Sequence, residues 1–248
     1  MKRTILFTCS FLFLVANVFA VDEPQPVLYF SFDGDSGDEV EDLSGNGNDG
    51  AISGDGDFVE GKYSKGLSLG KPDYVRVPHS ETLVIGDELT VGIWVSLTDT
   101  ANQKVIGKSP TASGFVIGVN GGIYPECWPQ GGAVLTATQG SIPVDTWTHL
   151  ALTYSAETEE MISYINGEEV GRLSNGGNPL GQTNLDLLIG VAPWDPNQWQ
   201  SAGVYDDVKV YNVALDADQV MQMMGEGIGA QAVSPGSKTI ATWGSVKN

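Results

Sequence analysis

The sequence predicts an all-β fold: two antiparallel sheets packed as a sandwich, with one short helix near the C-terminal end. Three observations carry this. Apolar residues recur at every second position in many short stretches, the period of a half-buried strand. Turn formers, among them 32 glycines and 12 prolines, separate those stretches at short intervals. Asn166-Gly167 divides two such stretches, which is a strong signal for a two-residue hairpin turn.

Val27–Phe32, Leu67–Leu69 and Tyr74–Val77 open the strand series. In Leu89–Leu97 every odd position is apolar, while Thr90, Gly92 and Ser96 face the other way. Lys104–Gly107, Phe115–Val119, Ala133–Thr138 and Thr148–Tyr154 follow. Met161–Ile165 and Glu168–Arg172 form the hairpin around Asn166-Gly167, and Leu187–Ile189 and Val204–Tyr211 close the series. The helix is predicted over Leu215–Met224. Asp216 can cap it and Gln219 stands three residues later, the spacing of a capping box. Leu215, Val220, Met223 and Met224 give it an apolar stripe, and Gly225 and Gly227 end it.

The two ends of the chain read differently. Lys2 and Arg3 precede an apolar run from Ile5 to Phe19 that closes on Val18-Phe19-Ala20. That is the pattern of a secretory signal peptide over 1–20, cleaved after Ala20. Val21, not a cysteine, follows it, so no lipid anchor is expected. No other stretch approaches the roughly 18 apolar residues of a membrane span. Residues 22–225 are expected to form the domain, and 226–248, rich in Gly, Ser and Ala, a mobile tail. The expected location is outside the cytoplasm: secreted, periplasmic or in the cell envelope.

Losing the two positive charges of Lys2 and Arg3 takes the formal charge from −19 to −21. A chain this acidic repels phosphate backbones and suits divalent cations, so nucleic acid is not an expected partner. Cys9 leaves with the signal, and Cys127 is then alone, without a partner for an intramolecular disulfide.

Six motifs in order resemble the laminin-G-like, concanavalin-A-like family of bacterial secreted proteins. They are Tyr29-Phe-Ser-Phe-Asp33, Asp42-Leu-Ser-Gly-Asn-Gly-Asn-Asp-Gly50, Leu89-Thr-Val-Gly-Ile-Trp-Val95, Trp147-Thr-His-Leu-Ala-Leu-Thr-Tyr154, Tyr164-Ile-Asn-Gly167 and Tyr205–Leu215. The resemblance spans Val27 to Gly225. It implies a jelly-roll sandwich of two curved antiparallel sheets whose first and last strands lie side by side.

The stretch from Asp42 to Gly50 fits two readings by itself. It can be a turn whose Asn and Asp side chains cap their own backbone, or a calcium loop. The resemblance implies a structural calcium where the loop after the first strand meets the last strand. Asp33, Asn48 and Asp206 are then the first expected ligands, with Asp42 and Asn46 after them. Counting along Val204–Tyr211 puts Asp206 on the face of Val208 and Val210, where a carboxylate needs a partner or a metal.

The sandwich also hosts glycosidases, but the Glu-x-Asp-x-x-Glu strand motif of the laminarinase type is absent. Glu157, Glu159 and Glu160 fall at an expected hairpin tip. Retaining chemistry asks for two carboxyls about 5 Å apart in a cleft. His149 is expected to be structural, and Cys127 has no local base. A non-catalytic module is expected.

Two segments read as loops that could hold a ligand. Gly122–Gly131 carries Tyr124 and Trp128, and Ala192–Gln200 carries Trp194, Asp195, Asn197 and Trp199. Rings of this kind stack on the apolar faces of sugars, and Asp and Asn can accept or donate hydroxyl hydrogen bonds. The same tryptophans could instead fold back over the sandwich rim as core. The expected partner is a glycan or an extracellular protein. A protein-interaction or envelope-structural module and a divergent glycoside hydrolase are the alternatives.

Overall fold

The computed structural model describes residues 23–110 and 112–225. The expected signal peptide and tail lie outside the described residues. In chain order the first strands are β1 (Leu28–Phe30), β2 (Glu39–Val40), β3 (Gly50–Ser53), β4 (Asp57–Glu60), β5 (Lys65–Leu69) and β6 (Tyr74–Val77). Then come β7 (Glu88–Leu97), β8 (Gln103–Lys108), β9 (Gly114–Val119), β10 (Ile123–Trp128) and β11 (Leu135–Thr136). The series ends with β12 (Thr148–Ser155), β13 (Glu160–Ile165), β14 (Glu168–Ser174), β15 (Leu187–Ile189), β16 (Gly203–Tyr211) and a helix, α1 (Ala217–Gly225).

The strands form two antiparallel sheets. The first runs β14-β13-β12-β7-β16-β5-β4, with β1 also paired to β16. The second runs β11-β10-β9-β8-β15-β6-β3-β2. First and last strands are neighbours, Leu28 opposite Val210 and Phe30 opposite Val208, as the jelly-roll expectation requires.

One hydrophobic core lies between the sheets. Strand β7 shows why: Leu89, Val91, Ile93, Val95 and Leu97 point into it and are essentially unexposed. Burying each such side chain is worth about 1.5–3 kcal/mol relative to leaving it in water. Phe30, Phe32, Phe115, Tyr154 and Tyr205 are among the largest side chains fully enclosed. At the Asn166-Gly167 turn both residues have positive φ, 52° and 78°, the signature of the tight hairpin turn that suits twisted strands.

A second, smaller cluster lies on the outer face of the first sheet, where α1 packs. Ala151, Tyr164, Tyr211, Leu215, Val220 and Met223 make it up. The capping box is present on both sides: Asp216 N–H donates to Gln219 Oε1, and Gln219 N–H donates to Asp216 Oδ1, each at 2.9 Å. Gly92 on β7 has no Cβ because Met223 occupies that space. No helix among the described residues is long and apolar enough to cross a membrane.

Strands β2, β3 and β4 were not expected from the sequence, and three further differences bear on the candidate sites. Gly122–Gly131 is not a loop: residues Ile123–Trp128 form β10, paired along its whole length with β9. Pro125 is tolerated there because β11 reaches only Glu126 and Cys127, leaving β10 an edge at Pro125 on that side. The expected strand Ala133–Thr138 shrinks to Leu135–Thr136. In β16 the register with β7 shifts between Asp206 and Lys209, where Asp207 has a φ of 50°. This bulge inserts one residue, so Tyr205, Val208 and Val210 enter the core while Asp206 pairs across from Trp94 on the outer face. The face expected for Asp206 is therefore corrected: it does not share that of Val208 and Val210.

Candidate functional site

On β10 the period of two divides the residues cleanly. Ile123, Pro125 and Cys127 are buried, while Tyr124, Glu126 and Trp128 stand half-buried on the outer face of the second sheet. Gly118 on β9 is opposite Tyr124, and Lys104 on β8 is opposite Gly118. A Cβ at Gly118 would lie 3.2 Å from Lys104 Cδ and closer still to backbone, so the missing side chain leaves room for the lysine stem.

The Lys104 ammonium is the hub of this face. It forms an ion pair with Glu126 Oε2 at 2.5 Å. It also lies 4.8 Å from the ring centroid of Tyr124 and 5.8 Å from that of Trp194, both within cation–π range. The Lys104 side chain is only 4% exposed and that of Glu126 16%. The pair therefore forms a floor beneath the rings, with opposite charges matched at contact distance.

The segment Ala192–Gln200 folds over this floor. Lys104 N–H donates to the Trp199 carbonyl at 2.8 Å, and Ser201 Oγ donates to the Lys104 carbonyl at 2.9 Å. Pro193 comes down over Gly107, whose absent Cβ would lie 3.2 Å from Pro193 Cγ. Trp194 meets Trp128 edge-on, with centroids 6.4 Å apart and planes at 85°. Trp199 meets Trp194 at 5.6 Å and 65°. Trp199 is 38% exposed. The result is a row of three indoles with Tyr124 beside it.

Tyr124, Trp128, Trp194 and Trp199 are thus brought together from two segments about seventy residues apart in the chain. Asp195 and Asn197 are used differently. Asp195 Oδ1 accepts from Asn197 N–H at 3.0 Å and Asn197 Nδ2 at 3.1 Å, and Oδ2 accepts from Gln198 Nε2 at 2.6 Å. These donors hold the Asp195 carboxyl below its usual pKa and pin the loop into shape. Lys104 and Glu126 were not anticipated from sequence. The signal existed for Glu126, which alternates with Tyr124 and Trp128; for Lys104 it did not, because its partners come from other strands.

The residues proposed for calcium divide into two groups. Asp42 Oδ1 accepts from the N–H groups of Tyr29 (2.9 Å) and Ser44 (3.0 Å). Its Oδ2 accepts from Ser44 Oγ (2.8 Å) and Asn48 N–H (2.9 Å). Asn48 Oδ1 accepts from Ser80 Oγ at 2.5 Å and Thr82 Oγ1 at 3.2 Å, and its Nδ2 donates to the Val27 carbonyl at 2.7 Å. Asn46 Nδ2 donates to the Val27 carbonyl and Ser44 Oγ. The loop is a self-satisfied turn that ties β1 to its neighbours, and the oxygens of Asp42 and Asn48 do not fit a calcium shell without losing these bonds.

Asp33 and Asp206 form the other group. Asp33 Oδ1 accepts from Lys65 N–H at 3.0 Å, and Asp206 Oδ2 from Tyr63 N–H at 2.8 Å. Burial, with the nearby charges of Asp207 and Asp33, pushes the Asp206 pKa up to about 7. Asp207 is raised by burial too, though Lys209 Nζ, 3.2 Å away, opposes the shift. Asp33 is among the charges that raise Asp206, so the two carboxylates repel each other. Among the described residues, no group of three or more acidic, His or Cys side chains is arranged to hold a metal.

Other reactive residue types are engaged or enclosed. His149 is buried against Trp94, ring centroids 5.3 Å apart. Burial and the Lys209 charge push its pKa down to about 3, so it is a neutral packing group. Burial drives the Cys127 thiol far up from its usual range. Glu160 is paired to Arg172.

A laminin-G-like family model of the concanavalin A-like lectin/glucanases superfamily matches residues 69–221 of the 248. Among solved structures, domain 4 of AbnA, a GH43 extracellular arabinanase from Geobacillus stearothermophilus in complex with arabinotriose, is similar at 24% identity. That match has a TM-score of 0.67 and covers 82% of this chain and 100% of that one. The binding domain of Paraclostridial Mosquitocidal Protein 1 is similar at 16% identity and a TM-score of 0.67, over 81% of this chain and 52% of that one. The botulinum neurotoxin serotype G binding domain follows at 15% identity and 0.63, over 81% and 50%. The chain thus spans about half the length of these toxin domains, and the likenesses show the shared fold. No curated protein matches the sequence.

Proposed function

The chain belongs to the concanavalin A-like lectin/glucanases superfamily, and from that premise we propose that it is a secreted, non-catalytic module that binds carbohydrate through the outer face of its second sheet. The single observation that carries this reading is the row Trp128, Trp194 and Trp199 with Tyr124, held over a neutralised floor, with Trp199 38% exposed and the other three rings half-buried. Rings anchored this way offer flat apolar area at little entropic cost, which suits the C–H faces of sugars. The arabinanase domain, crystallised with arabinotriose, and the toxin binding domains lend support by analogy of fold.

The test uses a panel of soluble polysaccharides in affinity electrophoresis, on the protein and on Trp194→Ala. Retardation by at least one polysaccharide, relieved in the variant, supports the reading. Unretarded migration on the whole panel rejects it, and turnover of a panel member would reject the non-catalytic part.

Export rests on residues 1–20, and the expected mature N-terminus is Val21; mass spectrometry of exported protein that found Met1 would reject cleavage. Calcium is proposed at Asp33 and Asp206, where it would offset carboxylate charge and join the start of the fold to its last strand. A metal that binds only the folded state raises the melting temperature. Stripped protein whose melting curve does not move in saturating calcium, or a shift that persists in Asp206→Ala, would exclude it.

A further inference from the structure

The charges of the proposed site determine which carbohydrates it can take. Resting on the carbohydrate reading, we propose that this face selects uncharged glycans and excludes those bearing carboxylate or sulfate groups.

The argument starts from Lys104. An anionic sugar needs a cation or several N–H donors to replace the water it loses. Lys104 is the cation that the described residues place at the rings, and its charge is already matched by Glu126 at 2.5 Å. Tyr124 and Trp194 flank it at 4.8 and 5.8 Å, and it is 4% exposed. An incoming carboxylate would either stay unmatched or draw Lys104 away, leaving Glu126 half-buried without its counter-charge. Breaking an enclosed pair by removing one partner is costly for that reason.

The surroundings add to the exclusion. Asp195 lies beside Trp194 on the rim, and its hydrogen bonds keep it ionised. Opposite Glu126 in register, Thr136 has a buried hydroxyl without a hydrogen-bond partner among the described residues, which is a neutral group. Arg76 on β6 shares a surface hollow with Pro193 and Pro196 of the same loop, and its charge is matched by Asp186 at 2.5 Å. The chain as a whole carries a formal charge of −19. A neutral pyranose or furanose brings apolar C–H faces for the indoles and asks for no counter-ion.

The experiment measures affinity for neutral arabinan, galactan and xylan beside polygalacturonate, alginate and a sulfated galactan, by titration calorimetry at fixed ionic strength. The expected result is binding to at least one neutral polymer at least about tenfold tighter than to any acidic one, given the cost of disturbing the pair. Glu126→Gln removes the counter-charge while keeping the side-chain shape. It should narrow the gap by strengthening binding of the acidic polymers, in a manner suppressed by salt. An acidic polymer bound as tightly as the best neutral one overturns the selection and leaves the carbohydrate reading standing. Absence of binding to every polymer overturns both. An unchanged gap in folded Glu126→Gln overturns the role given to the ion pair.

Discussion

Both sheets turn one face to the shared core, and on both outward faces a lysine lies over aromatic rings. On the first sheet Lys62 Nζ is 4.2 Å from the Trp94 ring centroid, and Tyr63 meets Trp94 edge-on at 6.2 Å. There α1 closes over the surface: Trp94 Nε1 donates to the Met224 carbonyl at 3.1 Å, and Trp94 is 6% exposed. On the second sheet Lys104 lies among Tyr124 and Trp194, yet these rings and Trp128 stay half-buried rather than sealed, and Trp199 is 38% exposed. The residue chemistry is alike on the two faces. What separates a packing contact from a binding surface is whether the chain has an element to spare for covering it.

The sharpest way to break this comparison is to make the same substitution on each face. Trp94→Ala should destabilise the fold by about 3–5 kcal/mol, the usual cost of removing a large buried ring. Chemical denaturation measures this, and carbohydrate binding by the folded fraction should be intact. A loss below about 1 kcal/mol would mean that α1 is not sealed onto the sheet.

Next in size is Lys104→Met, which strands Glu126. It should cost about 2 kcal/mol, less than the 3–5 of a fully buried broken pair because Glu126 keeps some contact with water. Adding Glu126→Gln should recover most of the loss. A double-mutant cycle with no coupling would show that the floor is not held by the pair.

The covered face also titrates. The folded-state pKa of Asp206 is raised to about 7 from an ordinary 3.8. Between those values the folded protein holds a proton that the unfolded chain releases. Stability should therefore fall as pH rises from about 4 to 7 and then level off. In chelator at pH 8, Asp206→Asn should raise stability on the order of 1–2 kcal/mol and flatten the profile. Calcium, if it binds there, should flatten the wild-type profile and lose that effect in the variant.

The smallest expected effect is the one that matters for binding. Trp194→Ala should weaken carbohydrate affinity by about 1 kcal/mol, the scale of one aromatic contact, which is about fivefold. Its stability cost should stay well below that of Trp94→Ala. If Trp194→Ala proves the more destabilising and affinity is unchanged, the indole row is packing after all and the two faces do not differ in kind.

Much of this was legible in the chain. A period of two along Leu89–Leu97, Asn166-Gly167 between two strand runs, and Asp216 with Gln219 before an apolar stripe each encode a local structure through nearest neighbours. Such signals survive in sequence because strand alternation, turn φ angles and helix caps are decided within a few residues. The aromatic residues of the proposed site were visible as types for the same reason.

Their assembly was not. Lys104, Glu126 and Trp194 are separated by strands whose pairing only the folded sheet sets, so their ion pair and ring contacts leave no local trace. Asp42 and Asn48 looked like ligands by composition, yet backbone donors from β1 and hydroxyls near Ser80 take up their oxygens. Asp206 turned outward because a single-residue bulge at Asp207 reversed the alternation that counting had assumed. By itself the sequence determined the sandwich, its hairpin and its capped helix, because these follow from short-range sterics and burial. Only the tertiary structure decided which polar groups were consumed, and which face remained open, because both depend on partners that arrive from distant strands.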